Sequence, residues 1–263
     1  MKPIYQKIFP KLEPTSRILR ISSTTNFIDN NRFPIKYSKT INKLKERSIS
    51  IDESICKIRE KYNKSFAGTF LQYLFEICLI KKYELNYSDI SINVCKPTSN
   101  FAFNIFVEEI SEKRFNKSLD KLSKNDLQSD ELIMHAVYRS SKAISKFSSN
   151  LVIKPEIIDD EDVKILINYF MDELIPQLEI KGIIYFDDSS YLSIYENNLL
   201  ICEPDFIIDG KIIDFKVCER NNYLDWARQL FIYSEGLKQN KIIPHGMYVL
   251  NLFTNELIKF EID

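Results

Sequence analysis

The stretch that most restricts what this chain can fold into is residues 199–218, LLICEPDFIIDGKIIDFKVC, two apolar runs joined by Asp209-Gly210. A two-residue Asp-Gly link between such runs predicts a β-hairpin closed by a type I′ turn, because both central positions of that turn need positive φ. In the resulting register Phe206 faces Ile213, Asp205 faces Asp214, and Glu203 faces Lys216. Side chains alternate along a strand. One face therefore carries Glu203, Asp205, Ile207, Ile212, Asp214 and Lys216. The other carries Phe206, Ile208, Ile213, Phe215 and Val217, an unbroken apolar surface expected to meet a core.

Two carboxylates placed directly opposite repel each other. A divalent cation between them turns that repulsion into a binding site. Hard oxygen ligands on neighbouring strands suit Mg²⁺ or Mn²⁺, which polarises a phosphodiester and acidifies water. Lys216 projects from the same face as Asp214, where an ammonium orients an attacking water or stabilises charge developing on phosphate oxygens. Taken alone, the same residues also describe an exposed hairpin with a polar outer face, Lys216 simply pairing with Glu203 or Asp214.

The flanking pattern predicts a mixed α/β fold with a central mixed sheet flanked by helices and a helical N-terminal part. Weak helical character runs from about residue 36 to 62, and an apolar helix is expected over 67–83. Further helices are expected over 101–112 and 129–147. An amphipathic helix over 160–178 has apolar residues at i, i+3, i+4 and i+7. Asp159, Asp160, Glu161 and Asp162 crowd its start, as a helix cap and surface would. Strands follow at 182–186, 191–195, 199–208 and 211–217, then a helix over 223–239 and strands at 246–253 and 256–262. In the 223–239 helix, Leu224, Ala227, Leu230, Phe231 and Leu237 are expected to cover the core, with Gln229 and Tyr233 on one face at i and i+4 beside Trp226.

Glu203-Pro204-Asp205 followed by Asp214-Phe215-Lys216 resembles the signature of the PD-(D/E)XK nuclease superfamily, with Asp in the D/E position. The resemblance implies a restriction-endonuclease-like core in which Asp205 and Asp214 bind Mg²⁺ or Mn²⁺. It also implies that the Phe215 carbonyl completes the coordination and that Lys216 assists hydrolysis. Gln229 and Tyr233 after the Asp-x-Lys strand resemble the RecB-like branch, which includes CRISPR-adaptation nucleases. There such residues sit beside the active site and contact the DNA backbone or the lysine. That branch carries an upstream Gly-Thr-x-x-His-x-x-x-Glu-like helix with a metal-binding histidine. Here Gly68, Thr69 and Glu76 are in register with it, Gln72 stands in the histidine position, and Glu76 is the implied upstream ligand. Glu173 and Glu179 are rival donors. Some relatives hold an iron–sulfur cluster on cysteines near the C-terminus; no cysteine follows Cys218, and no cluster is expected.

The expected activity is that of a metal-dependent deoxyribonuclease acting on DNA. Two alternatives stay open: a catalytically weak or inactive DNA-binding or assembly subunit, and a restriction-type site-specific endonuclease. A homodimer and a helicase or defence-complex partner are both compatible. Five cysteines without a C-x-x-C pair fit a reduced, cytoplasmic protein, and no apolar run is long enough to involve a membrane. The net charge is −1, but residues 1–64 hold 15 basic and 6 acidic residues, leaving 21 of the 36 basic and 31 of the 37 acidic for the remainder. Within that segment KYSKTINKLKERS reads either as a phosphate-contacting stretch or as a solvated amphipathic helix. Residues 1–64 are therefore read as a basic segment packed on the core. Residues 65–263 are read as the nuclease domain, with a helical insertion around 84–180.

Overall fold

The computed structural model describes residues 18–19, 35–61, 64–83, 160–181, 184–186, 191–195, 198–202, 204–239 and 241–263. The expected helices over 101–112 and 129–147, and Glu203, lie outside the described residues. In chain order the elements are β1 (Ile18–Leu19), β2 (Tyr37–Lys43), α1 (Ile49–Lys61) and α2 (Lys64–Lys82). Helix α3 runs over Asp160–Tyr169, widens into a π turn at Phe170–Leu174 and closes with Ile175–Gln177. Then come β3 (Ile184–Phe186), β4 (Tyr191–Tyr195), β5 (Asn198–Cys202), β6 (Phe206–Ile208), β7 (Lys211–Lys216), α4 (Tyr223–Gln239), β8 (Gly246–Asn251) and β9 (Glu256–Ile262).

The fold is mixed α/β. One sheet has the order β2-β9-β8-β7-β6-β3, and a smaller one has the order β1-β5-β4. In the larger sheet every pair is antiparallel except β7 with β8. Parallel neighbours need a crossover, and α4 supplies it. The carboxyl ends of β7 and β8 therefore open at the same end of the sheet, the usual place for a ligand crevice in α/β folds.

The hairpin forms as its turn chemistry predicts. Asp209 and Gly210 have φ of 50° and 73°, and Phe206 pairs with Ile213, Ile207 with Ile212 and Ile208 with Lys211. A Cβ at Gly210 would stand 3.0 Å from His245 Nδ1, and the Gly210 carbonyl accepts the His245 N–H at 2.7 Å. The positive φ and the close approach of the His245 ring together favour glycine here.

Helices cover both faces of this hairpin. Phe206, Ile208, Ile213 and Phe215 join α1, α2 and α3 in one apolar cluster. Phe75 of α2 stacks on Phe215 at 5.4 Å and meets Phe206 and Phe170 edge-on at 5.5 and 5.4 Å. Ile207 and Ile212, on the acid-bearing face, are buried with Val249, Ile258, Leu230 and Tyr233 in a second cluster beneath α4. That face is thus covered, and polar side chains emerge only at its end. On α4 itself Leu224, expected to cover the core, is exposed, while Trp226 and Tyr233 are buried. The helix is rotated so that its aromatic residues face the sheet.

Three further expectations change. Residues 37–43 form an edge strand paired with β9 rather than a weak helix; long-range pairing overrides a pattern with little local preference. The expected strand over 199–208 divides at residues 203–205, with β5 in the small sheet and β6 in the large one. Pro204 has no N–H to give a ladder, which favours a break there. Asp162 is not a surface cap residue: it is buried, accepting Ser54 Oγ at 2.9 Å and Lys57 Nζ at 3.2 Å, and so fastens α3 to α1.

Glu256, buried at the start of β9, accepts Lys43 Nζ at 2.5 Å, Thr254 Oγ1 at 2.7 Å and Asn221 Nδ2 at 3.2 Å. Burial alone would raise its pKa, but these donors hold it below the ordinary 4.5. A carboxylate with a depressed folded pKa contributes stability that is complete above its unfolded value and lost as pH falls through the folded one. Glu256→Gln is therefore expected to lower the urea midpoint most at pH values above about 4.5, with the penalty shrinking in more acidic buffer. A penalty independent of pH would contradict this. Phe75→Ala is expected to cost about 3–5 kcal/mol in the same unfolding measurement.

Candidate functional site

The ladder between β6 and β7 ends at Phe206–Ile213, so the expected cross-strand pair of Asp205 with Asp214 is not part of it. Beyond it the chain bends at Asp205, and Asp205 Oδ2 accepts the Phe215 N–H at 2.7 Å. A side chain thus takes the bond that the next β6 residue would have supplied. On the other side of β7, the Lys216 carbonyl accepts the Leu252 N–H at 2.8 Å, continuing the pairing with β8. Peptide groups of successive strand residues face opposite sides. The Phe215 carbonyl therefore faces the gap where β6 has turned away, the side on which Asp205 stands.

Asp214 is 1% exposed, and neither of its carboxylate oxygens accepts a hydrogen bond among the described residues. Its charge is balanced by Lys216, whose Nζ lies 2.6 Å from Oδ2. The Lys216 side chain is 25% exposed. Its Nζ donates to Gln229 Oε1 at 3.3 Å, and Gln229 Nε2 donates to Tyr233 Oη at 2.7 Å. Burial pushes the Lys216 pKa down, but Asp214 and then Asp205 outweigh it, so the ammonium sits above the ordinary 10.5. Lys216 stays charged at neutral pH.

The structure thus brings Asp205, Asp214, Phe215, Lys216, Gln229 and Tyr233 to one strand end. Glu76 is fully buried on α2, one turn beyond Gln72 on the same helix face. Among the described residues no three His, Cys, Asp or Glu side chains gather as a metal-holding group. Glu76, Glu173 and Glu179 therefore do not make a third carboxylate beside the two aspartates. The oxygens present are nonetheless hard donors, and Asp214, buried with the Lys216 ammonium at Oδ2 and no partner at Oδ1 among the described residues, keeps coordinating capacity free. Asp205, Asp214 and the Phe215 carbonyl fit Mg²⁺ or Mn²⁺.

Two features carried no sequence signal beyond an isolated polar letter. Asn251, fully buried on β8 opposite Lys216, accepts the N–H groups of Cys218 and Phe253 and donates to the Cys218 carbonyl and Asn221 Oδ1. It clamps the loop that leaves β7. Arg59 of α1 lies beside that loop, pairing with Glu219 at 3.0 Å. Within the apolar run GMYVLNLF, a lone Asn on a buried strand was the available clue to the first.

Searches of protein-family models, curated proteins and solved structures find no match for this chain. Among the described residues no helix is long and apolar enough to cross a membrane.

Asp214→Asn removes the main attraction that raises Lys216 and leaves the burial. The Lys216 pKa, followed by ¹³Cε chemical shift in a lysine-labelled protein without divalent metal, is expected to fall. An unchanged titration would show that the two side chains are not coupled.

Proposed function

We propose that this chain is a metal-dependent deoxyribonuclease that hydrolyses phosphodiester bonds, with Asp205 and Asp214 holding Mg²⁺ or Mn²⁺ and Lys216 assisting. The observation that carries the proposal is Asp214: a carboxylate 1% exposed, both oxygens without a hydrogen bond among the described residues, at the open end of a parallel strand pair. The run of hairpin, crossover helix and two further strands agrees with the core implied by the PD-(D/E)XK resemblance.

A divalent cation held by the two aspartates and the Phe215 carbonyl would polarise the phosphodiester and ease loss of a proton from water. The rest is work for the chain. Asp205 holds the Phe215 peptide in place through its N–H. Lys216, kept protonated by its acidic neighbours, donates to the phosphate oxygen on which negative charge accumulates. Gln229, braced by Tyr233, limits where the ammonium can go. DNA is the proposed substrate, and a homodimer or a helicase-type partner is compatible with this arrangement.

One observation favours a second reading, a nuclease-fold DNA-binding subunit that no longer cuts. Gln72 occupies the position of the expected histidine, and Glu76 adds no third carboxylate to the pair. The two readings separate in two measurements. Calorimetry is expected to show Mn²⁺ binding that is abolished by Asp205→Ala or Asp214→Ala. Cleavage of linear, circular and single-stranded DNA is expected to require metal and to fall by about 10²–10³-fold or more in Lys216→Ala. Metal binding without cleavage would select the second reading; cleavage that survives both Asp214→Ala and Lys216→Ala would remove the first.

A further inference from the structure

Beside Lys216 a cleft of about 950 Å³ opens between α1, the start of α2 and the loop after β7. That volume is near the top of the roughly 300–1,000 Å³ found for small-molecule sites. Its charged lining is Arg59, Lys64, Lys216 and Arg220 against the single acid Glu219. Lys64, Arg220 and Glu219 are exposed. Arg59 is different. Its side chain is 9% exposed, its guanidinium lies 4.2 Å over the Phe253 ring, and one Nη donates to Glu219. Its Nε is buried without a hydrogen-bond partner among the described residues.

An arginine held flat against an aromatic ring at the wall of a cationic cleft, with guanidinium N–H groups beyond the one given to Glu219, suits a planar or tetrahedral oxyanion. Glu219 occupies only one of its five N–H groups and is solvent-exposed, so an incoming anion displaces it easily. The loop opposite is rigid, since Asn251 fixes Cys218 through both its N–H and its carbonyl. Phe215 is buried and Phe253 is covered by Arg59, so neither lies open as a platform on which a base could stack. Recognition there falls to phosphate rather than to bases.

We infer that this cleft is a second phosphate subsite, holding a phosphate of the nucleic-acid strand whose neighbouring phosphodiester lies at Lys216, with Arg59 as the principal contact and Lys64 and Arg220 in support. The inference rests on the nuclease reading for what happens at Lys216, but binding in the cleft can be tested apart from hydrolysis. The shared chemistry is a phosphate oxyanion, which comes either from the strand interior or from a phosphorylated 5′ end.

The experiment is fluorescence anisotropy of labelled oligonucleotides in EDTA, over a range of salt, with the full chain. Arg59→Met keeps the packing on Phe253 and removes the donors; Arg220→Gln is an exposed second variant that tests the same cleft should Arg59→Met unfold, as judged by circular dichroism. Arg59→Met is expected to weaken binding about tenfold. Each variant is expected to reduce the slope of log K against log salt by about one. Dependence on Arg59 that vanishes when a 5′-phosphate is replaced by 5′-hydroxyl assigns the subsite to strand ends; equal dependence on circular single strands assigns it to the interior. Either result supports the subsite. A folded Arg59→Met with wild-type affinity and slope, or an unfolded one together with an Arg220→Gln indistinguishable from wild type, overturns it. Metal-dependent cutting that persists with Arg59-independent binding would sink the subsite and leave the nuclease reading intact. Arg59-dependent binding without any cleavage would do the opposite.

Discussion

A carboxylate that is almost wholly excluded from water, in a strand covered on both faces, is the constraint around which this structure is organised. Asp214 faces the α4 side of the sheet by alternation with Ile212, and helices close both faces over its strand. Taking an ionised carboxylate out of water costs several kcal/mol unless a cation and hydrogen bonds compensate it. Here the compensation is one ammonium at 2.6 Å, and both oxygens lack hydrogen bonds among the described residues. A purely structural buried ion pair gains most when its remaining lone pairs are satisfied. This one leaves them open at the end of the sheet.

The surroundings hold that strand end in one geometry. The positive-φ turn at Asp209-Gly210 sets the register, and a slip of one residue would carry Asp214 and Lys216 to the Phe75 face. Phe75 packs against Phe206 and Phe215 on both hairpin strands, so the hairpin cannot shear without disturbing the aromatic core. Asp205 substitutes for a ladder bond, which ties the placement of one acid to the backbone that carries the other. Asn251 and the Glu256 network secure the loop beyond. A mixed α/β fold by itself is compatible with many activities; the functional argument comes from this strand end.

Local chemistry explains what was legible in the sequence. The hairpin register followed from Asp-Gly, and α4 and β9 followed from long periodic runs that tertiary contacts reinforce. The edge strand β2 was not legible, because its exposed residues show no apolar alternation and only β9 makes it a strand. The break before β6 had a visible cause in Pro204, but the surrounding apolar letters hid it. Burial of Glu76 followed from the apolar helix around it. Its separation from a three-acid cluster did not, since helix rotation and depth against the sheet are set by packing. Arg59 carried no distinguishing signal in the sequence. Only its stacking on Phe253, nearly two hundred positions away, distinguishes it.

Charge distribution gains a different meaning once these contacts are known. The basic excess of the first 64 residues is partly spent within the molecule, on Lys43–Glu256, Lys57–Asp162 and Arg59–Glu219. Such pairs add little to stability where they are exposed, and they cancel the field of both partners at long range. Net charge near zero therefore does not argue against binding a polyanion. What a phosphate would meet is the local field of a cleft lined by Arg59, Lys64 and Arg220 against Glu219, with Lys216 held by Asp214, beside low-dielectric aromatic walls, and there the interaction is screened less than on an open surface. Asp214 lies on the opposite side of the same strand, so the proposed anion subsite and the proposed metal site would share one buried strand end.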